Sequence, residues 1–210
     1  MICKVCNEIK NEFNILDPFG VNNHFLCNEC FQKFNVIYEK SKINKMEVLS
    51  IYSYDGLIKD LIYQFKGLYD YELRGVFLEY FIDELEFKYF GYTITFAPSS
   101  EEDNLKGGYN HVEEMFSFLP NKKVNLFIKK DNYKQSNVKY KERQKIVSHI
   151  DLIKENLKGI KKVLIVDDVL TSGNTLLACA SLLNKEGIKD IKLLTISKVV
   201  EIHRNNEGNN

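Results

Sequence analysis

The chain has 210 residues, enough for one α/β domain and a small accessory module. Its hydrophobic fraction of 44% and aromatic fraction of 12% are sufficient for a folded core, and it has no apolar run of about 18 residues that would predict a membrane span. The 29 Lys and Arg residues balance the 29 Asp and Glu residues, so net charge alone indicates no particular partner.

Two Cys-x-x-Cys pairs lie near the N-terminus, Cys3-Lys-Val-Cys6 and Cys27-Asn-Glu-Cys30, with 20 residues between them. Each pair can present two thiolates to one ion, and four thiolates complete a closed tetrahedral zinc site. The first residues do not resemble a signal peptide, so we expect a reducing compartment, in which paired cysteines indicate a metal before a disulfide. We predict a structural zinc module over residues 1–45 that needs its metal to fold. A redox role for either pair and a ligand role for His24 are the alternatives.

Residues 31–97 alternate between predicted helices and strands. A short aromatic helix over 31–38 and a polar linker over 41–45 are expected to follow the cysteines. Apolar periodicity and turn residues then predict a strand at 48–54, a helix at 55–66, a helix at 71–85 and a strand at 92–97. Asp55 is the predicted N-cap of the first of these two helices, and Gly67 its end.

Charge is unevenly spread along the chain. Residues 121–162 carry 13 Lys and Arg against 4 Asp and Glu, whereas residues 51–120 carry 5 against 13. This contrast indicates either an anion or nucleic-acid surface, or two halves of one domain that neutralise each other. A strand is predicted at 124–128. The basic, tyrosine-bearing segment after that strand is either a solvated loop or lid, or a surface that follows a nucleic-acid backbone.

The sequence KVLIVDDVLTSGNT at residues 162–175 carries the strongest functional pattern. Its apolar residues 163–166 predict a strand buried on both faces, as in a parallel sheet, and a helical apolar stripe starts at Leu176 and ends at Gly187. Between strand and helix lie two acids and a small polar turn: Asp167, Asp168, Thr171, Ser172, Gly173, Asn174 and Thr175.

This turn suits a phosphorylated sugar. A helix N-terminus offers free N–H groups and partial positive charge to a phosphate, Gly173 allows the backbone to approach it, and the hydroxyls add donors. Asp167 and Asp168 can each accept two hydrogen bonds, which suits the adjacent 2′- and 3′-hydroxyls of a ribose. In open parallel sheets, ligands bind at the carboxyl ends of the strands, where these groups are predicted to lie.

Three other interpretations of this stretch remain. An apolar strand followed by acids is typical of a Walker B strand, but the chain has no Gly-x-x-x-x-Gly-Lys-Ser/Thr loop. The acids would also suit a Mg²⁺ pocket, although the hydroxyl-rich turn would then be unexplained. The third interpretation is a strand end with solvated acids and a capped helix.

A last strand is predicted at 191–196, and Cys179 is expected in the core. The alternation of strands and helices predicts a parallel α/β domain over residues 46–200, and the polar tail at 201–210 is expected to be disordered.

Residues 163–175 resemble the motif with which type I phosphoribosyltransferases bind phosphoribosyl pyrophosphate (PRPP). Together with the cysteine pairs, the chain is similar to the ComF/GntX-like family, which joins an N-terminal zinc finger to a phosphoribosyltransferase domain. The similarity covers nearly the whole chain and includes Tyr54-Asp55-Gly56, Lys66, the stretch Gly107-Gly108-Tyr109-Asn110-His111, Gln135 and Glu142-Arg143.

The resemblance implies that Asp167 and Asp168 hold ribose and that the turn from Thr171 to Thr175 holds the 5′-phosphate, with Mg²⁺ bound alongside PRPP. It also implies that the loop beginning Pro98-Ser99-Ser100 binds pyrophosphate, and that Arg143 contacts pyrophosphate or phosphate.

The chain departs from the family at Gly107, where an arginine would bind pyrophosphate in two hydrogen bonds. Lys106 offers a point charge one position earlier. Lys66 is either an active-site cation or a cation favoured by the end of its helix. Asn110 is either a pocket residue or a helix cap, and His111 is a candidate pocket residue.

The resemblance implies a bacterial cytoplasmic protein linked to DNA uptake in natural transformation, acting with incoming single-stranded DNA and its helicase. Two functions are then open. A phosphoribosyltransferase would pass the phosphoribosyl group to a nucleophile as pyrophosphate leaves. A binding protein would sense PRPP or a nucleotide, or bind a DNA 5′-phosphate, and dock a partner through the zinc module or the basic block.

Overall fold

The computed structural model describes residues 2–9, 25–98, 108–129 and 150–200. Within these ranges the strands are β1 (Val36–Ile43), β2 (Met46–Ser53), β3 (Thr93–Phe96), β4 (Phe127–Lys129), β5 (Ile150–Leu152), β6 (Lys162–Leu170) and β7 (Asp190–Lys198). The helices are α1 (Asn28–Phe31), α2 (Gly56–Gly67), α3 (Ile82–Lys88), α4 (His111–Met115) and α5 (Asn174–Lys185), with 3₁₀ turns at Tyr71–Gly75, Glu79–Phe81 and Lys154–Leu157. No helix in this part of the chain is long and apolar enough to cross a membrane.

The central sheet of the described residues has the strand order β1-β2-β7-β6-β3. Strands β2, β7, β6 and β3 run parallel, and β1 pairs antiparallel with β2 at one edge. The register places Ile165 of β6 opposite Leu193 of β7 and Thr95 of β3. Strands β4 and β5 form a separate antiparallel pair. The predicted parallel α/β sheet is confirmed, with β6 between two parallel neighbours.

Strand β6 sends alternate side chains to the two faces of the sheet, as any strand does. Leu164 belongs to a core that includes residues of α2 and α4. The next residue, Ile165, belongs to a second core that includes the apolar face of α5. Cys179 of α5 is fully buried in this second core, as predicted. The end of β6 can therefore present functional groups to two different sides.

The segment before β2 differs from the prediction. The helix expected over 31–38 is wrong, because α1 ends at Phe31 and strand β1 begins at Val36. The linker expected over 41–45 is also wrong: residues 41–43 belong to β1, and Asn44 and Lys45 form a hairpin turn with φ angles of 44° and 71°. The division of the chain at residues 45 and 46 stays a prediction, and this hairpin crosses it.

The helix expected over 71–85 is wrong as well, since two 3₁₀ turns precede α3. Gly75 explains the interruption. It is buried, and a Cβ atom at this position would lie 2.3 Å from the ring of Phe25. Glycine is a poor helix residue, and here its missing side chain makes room for an aromatic ring two residues before Cys27.

The other predicted elements match the structure with shifted boundaries. The strands at 48–54, 92–97 and 191–196 are β2, β3 and β7, and the helix at 55–66 is α2. Asp55 lies at the N-cap position of α2 but makes no capping hydrogen bond; its carboxylate accepts one from Ser53 Oγ at 2.6 Å instead. Strand β4 begins later than predicted, at Phe127, and β5 was not foreseen.

Candidate functional site

A cleft opens where β6 passes into α5. It is lined by Asp167, Val169, Leu170, Thr171, Ser172, Gly173, Asn174, Thr175 and Leu176. Gly173 lies directly before α5 with a φ of 71°, a left-handed conformation that favours glycine. Its carbonyl accepts a hydrogen bond from the Leu177 amide at 3.0 Å, which begins the helix. The N–H groups of the first helical turn have no partners within the helix and are available to an anion.

A residue from a distant part of the chain packs against the turn that lines this cleft. A Cβ atom on Gly173 would lie 2.6 Å from Cδ1 of Ile43, the last residue of β1. The edge hairpin therefore packs against the turn that precedes α5. Sequence reasoning missed Ile43, because nothing near it in the sequence marks a contact with residue 173.

The two aspartates have different surroundings. Strand β6 continues to Leu170, so both acids lie within the strand, and their side chains point to opposite faces of the sheet. Asp167 is half-buried and lines the cleft. Asp168 is buried and is not among the residues that line the cleft. The sequence analysis expected both acids to hold the hydroxyls of one ribose, and that shared role stays a prediction.

Two nitrogen atoms contact the Asp168 carboxylate on the face opposite the cleft. Nζ of Lys66 lies 3.1 Å from Oδ2, and Nε2 of His111 lies 3.3 Å from the same oxygen. Oδ1 accepts a hydrogen bond from the Val169 amide at 2.7 Å. Burial by itself would raise the pKa of Asp168, but the contacts with His111 and Lys66 outweigh it and hold the pKa below its usual range. Asp168 is therefore an internal carboxylate anion.

The Asp167 carboxyl has the opposite electrostatic environment. Burial raises its pKa well above the ordinary value, and the negative charge of Asp168 raises it further. The Asp168 amide donates a hydrogen bond to Asp167 Oδ1 at 2.9 Å, which partly offsets these effects. Asp167 consequently holds its proton more tightly than an exposed aspartate does.

The structure gives contacts for two residues whose roles the sequence left open. Asn110 caps α4, because its Oδ1 accepts hydrogen bonds from the amides of Val112 and Glu113 at 3.1 and 3.3 Å. Lys66 is in the last turn of α2, but its amine contacts Asp168, so the helix end alone does not account for it. The contact joins residues that are 102 positions apart, which no local pattern could have revealed.

The four predicted metal ligands come together at a second site. Sγ atoms of Cys3, Cys6, Cys27 and Cys30 all lie within 4.8 Å of one another, and those of Cys6 and Cys27 are 4.0 Å apart. A tetrahedral ion about 2.3 Å from each sulfur needs sulfurs about 3.8 Å apart, so this cluster fits a closed four-thiolate metal site.

The backbone around this cluster favours thiolate formation at Cys3. The amides of Val5 and Cys27 each lie 3.4 Å from Cys3 Sγ and donate hydrogen bonds to it. Burial opposes ionisation of this thiol, but the amides of Cys6, Cys27 and Val5 outweigh burial and lower the pKa of Cys3 to about 7. Burial raises the pKa of Cys30, so in the absence of a cation this second thiol resists ionisation.

Several predicted site residues lie outside the described residues. They are His24, Ser99, Ser100, Lys106, Gly107, Gln135, Glu142 and Arg143, together with the basic segment after β4 and the tail at 201–210. Their roles in binding pyrophosphate, phosphate or nucleic acid stay predictions.

Comparison with known proteins gives two matches that bear on identity. The model of the phosphoribosyl transferase domain matches residues 105–204, which include β6, the turn and α5. The competence protein ComFC of Streptococcus pneumoniae (strain ATCC BAA-255 / R6) is 26% identical over 93% of this chain and 99% of its own length.

Solved phosphoribosyltransferases are more distant. A hypoxanthine phosphoribosyltransferase from Staphylococcus aureus superposes with a TM-score of 0.38 at 14% identity, over 60% of this chain and 62% of that chain. An adenine phosphoribosyltransferase from Rhodothermus marinus DSM 4252 gives 0.30 at 16% identity, over 59% of this chain and 75% of that chain. TM-scores this low support no conclusion. The domain match, the ComFC relative and the four clustered cysteines together fit a ComF-like protein that has a phosphoribosyl transferase domain and an N-terminal cysteine module.

Proposed function

We propose that the cleft at the start of α5 binds the phosphoribosyl group of PRPP or of a related ligand. The observation that carries this proposal is the polar turn from Thr171 to Thr175 around the left-handed Gly173, with Asp167 on the same cleft. Free N–H groups at the start of a 12-residue helix attract a phosphate, and the neighbouring hydroxyls can donate to its oxygens.

Within this proposal, Thr171, Ser172 and Thr175 hold the 5′-phosphate, together with the backbone of Gly173 and Asn174. Asp167 accepts hydrogen bonds from the ribose hydroxyls. Mg²⁺ bound with the ligand would neutralise phosphate charge, and carboxylates are suitable partners for it or for its waters. The role of Asp168 is different, because Lys66 and His111 already contact its carboxylate.

We propose phosphoribosyl transfer as the reaction. A nucleophile would form a bond to C1 of the ribose as the bond from C1 to pyrophosphate breaks, and both electrons of that bond leave with pyrophosphate. The residues of the cleft would contribute by positioning the ribose and its phosphate. The acceptor nucleophile is not specified by any residue described above.

Binding without transfer is the second candidate. Gly107 favours it, since the family resemblance expects an arginine for pyrophosphate at this position. Release of pyrophosphate from PRPP in the presence of candidate bases separates the two functions. Bound PRPP without release of pyrophosphate supports the binding protein, and release that depends on a base supports the transferase.

Asp167→Asn is expected to weaken Mg²⁺–PRPP binding about tenfold, because the amide replaces one acceptor oxygen and leaves a ribose hydroxyl without its partner, a loss of about 1–3 kcal/mol. Isothermal titration calorimetry measures the change. Asp60→Asn removes an exposed carboxylate on α2 and serves as the matched control, with affinity expected to equal that of the unaltered protein. Equal affinities for both variants would contradict the proposed cleft.

We further propose that the cysteine cluster holds zinc and that the protein acts in the cytoplasm during natural transformation. The four thiols support the first proposal, and the ComFC relative supports the second. The basic composition of residues 121–162 supports contact with single-stranded DNA, to which a helicase could be recruited. Affinity for single-stranded DNA that falls steeply with salt would support this contact, and affinity that is independent of salt would contradict it.

A further inference from the structure

A three-residue ion cluster lies on the face of β6 that is opposite the proposed ligand cleft. It consists of the Asp168 carboxylate, the Lys66 amine from the last turn of α2 and the His111 imidazole from the first residue of α4. The side chains of Asp168 and His111 are 11% and 7% exposed, and that of Lys66 is 44% exposed. None of the three lines the cleft.

Asp168 connects this cluster to the cleft through one peptide unit. Its amide donates a hydrogen bond to Asp167 Oδ1 at 2.9 Å, so the orientation of that amide determines where the Asp167 carboxyl points. Its own Oδ1 accepts from the Val169 amide at 2.7 Å, and its carbonyl accepts from Ser197 Oγ on β7 at 3.4 Å. The backbone around Asp168 is therefore held by the Asp168 side chain and by the neighbouring strand β7.

We propose that Lys66, together with His111, is a positioning residue for the ligand cleft. Lys66 contacts the Asp168 carboxylate and holds it in place. The Asp168 amide, which donates to Asp167, is thereby held as well, and Lys66 does not contact the ligand. This inference rests on the proposed function of the cleft.

The physical argument follows from the cost of a buried carboxylate. A carboxylate that loses a charged partner in the interior rotates toward another donor or takes up a proton. At Asp168, either response would disturb the hydrogen bond from Val169 and the adjacent peptide unit. Asp167 would then lose its defined orientation, although it is on the other face of the strand. A purely structural ion pair, in contrast, would change stability and leave ligand affinity alone.

A double-mutant cycle tests the proposal. Lys66→Met is expected to weaken Mg²⁺–PRPP binding about fivefold to tenfold in calorimetry, and Lys66→Arg to restore most of the loss because it keeps the cation. The variant that combines Lys66→Met with Asp168→Asn is expected to bind no more weakly than Asp168→Asn alone, because both changes remove the same connection. Lys59→Met, an exposed lysine on the same helix, is the control with unchanged affinity. If Lys66→Met does not fold, Lys66→Gln replaces it.

A second readout does not depend on PRPP. In protein labelled with ¹³C-aspartate, the Asp167 carboxyl resonance can be assigned from its loss in Asp167→Asn and titrated with pH. The ionisable groups that act on its charge are Cys179 of α5, which lies on the same face of the sheet, and Asp168 and Lys66, which lie across the strand. The Lys66 charge lowers and the Asp168 charge raises the pKa of Asp167. Lys66→Met is therefore expected to move the titration midpoint, upward where Asp168 stays ionised and downward where Asp168 takes up a proton, and Lys59→Met is expected to leave the midpoint unchanged.

The outcomes separate this inference from the proposed function. If the unaltered protein binds no PRPP, the proposed function fails, and the titration alone decides whether Lys66 acts on Asp167. An unchanged midpoint in Lys66→Met overturns the inference whether or not PRPP binds. Where PRPP does bind, unchanged affinity in Lys66→Met, or additive losses in the double variant, also overturns it.

Discussion

Replacing Cys27 with alanine is expected to unfold the whole chain and not only its first thirty residues. Cys27 is fully buried and belongs to the same core as Phe65 of α2 and Val112 of α4. Without this thiolate the cluster cannot form a closed four-sulfur site, and the proposed zinc would be lost. The core would then contain unsatisfied thiols and a cavity beside the residues that cover one face of the sheet.

Contacts on both sides of Cys27 explain why the loss should spread. The amides of Phe25 and Leu26 donate hydrogen bonds to Glu79 Oε2 at 2.9 and 2.8 Å. The ring of Tyr80 stacks on Phe31 with centroids 3.9 Å apart. A segment tied this closely to residues 79–80 cannot detach without exposing the core below it.

The expected loss of stability is as large as the whole free energy of unfolding of a typical domain. Structural zinc contributes about 10–16 kcal/mol to the folding of isolated zinc-finger peptides, whereas whole domains are stable by about 5–15 kcal/mol. Circular dichroism on heating and metal analysis would measure the change. Cys179→Ala is the control: it removes a buried thiol outside the cluster, and we expect full metal content and a cost of the order of 1 kcal/mol. A Cys27→Ala protein that melts cooperatively at the original temperature would contradict the shared core.

The second large effect is expected from Gly173→Val, which should abolish most PRPP binding. Gly173 has a φ of 71°, and a β-branched residue is strongly disfavoured in that conformation. The first added carbon would also lie 2.6 Å from Ile43 Cδ1, so the hairpin or the turn must move. The strain costs roughly 1–2 kcal/mol in stability. We expect affinity to fall at least about tenfold, because the amides after Gly173 would no longer converge on a phosphate.

Gly187 offers a matched control for this variant. It has a φ of 89°, and a Cβ atom there would meet nothing within 4 Å. Gly187→Val therefore introduces a similar backbone strain at the other end of α5, away from the cleft. If both variants lose similar stability and only Gly173→Val loses affinity for PRPP, the result would support a phosphate at this turn. Equal affinities in the two variants would place the phosphate elsewhere.

The unit formed by β6, the turn and α5 could be predicted from the sequence because the residues that indicate it are neighbours in the chain. An apolar β-branched run indicates a buried strand, and glycine with hydroxyl residues indicates a tight turn before a helix. The contacts that define the site came from farther away. Ile43 and Lys66 reach residues 173 and 168 from more than a hundred positions earlier, and no periodicity reports such a pairing.

The errors in secondary structure have a similar cause. Tyr38 lies in strand β1 and stacks on Phe81, so the aromatic spacing that suggested a helix arises from tertiary packing. The helix expected over 71–85 begins only at Ile82, after two 3₁₀ turns, because Gly75 makes room for Phe25. The spacing of the cysteines, in contrast, was sufficient to predict their cluster, since two Cys-x-x-Cys pairs at this separation are typical of a metal site.

The position of two consecutive acids in one strand has a consequence for judging relatives of this protein. Within the proposed function, a substitution at Asp167 would alter the surface that the ligand meets, whereas one at Asp168 would also alter how the helices of the other face are held. A relative could thus lose recognition of sugar phosphates and keep its architecture intact. The two aspartate positions should therefore be compared separately when related sequences are classified as ligand-binding or purely structural.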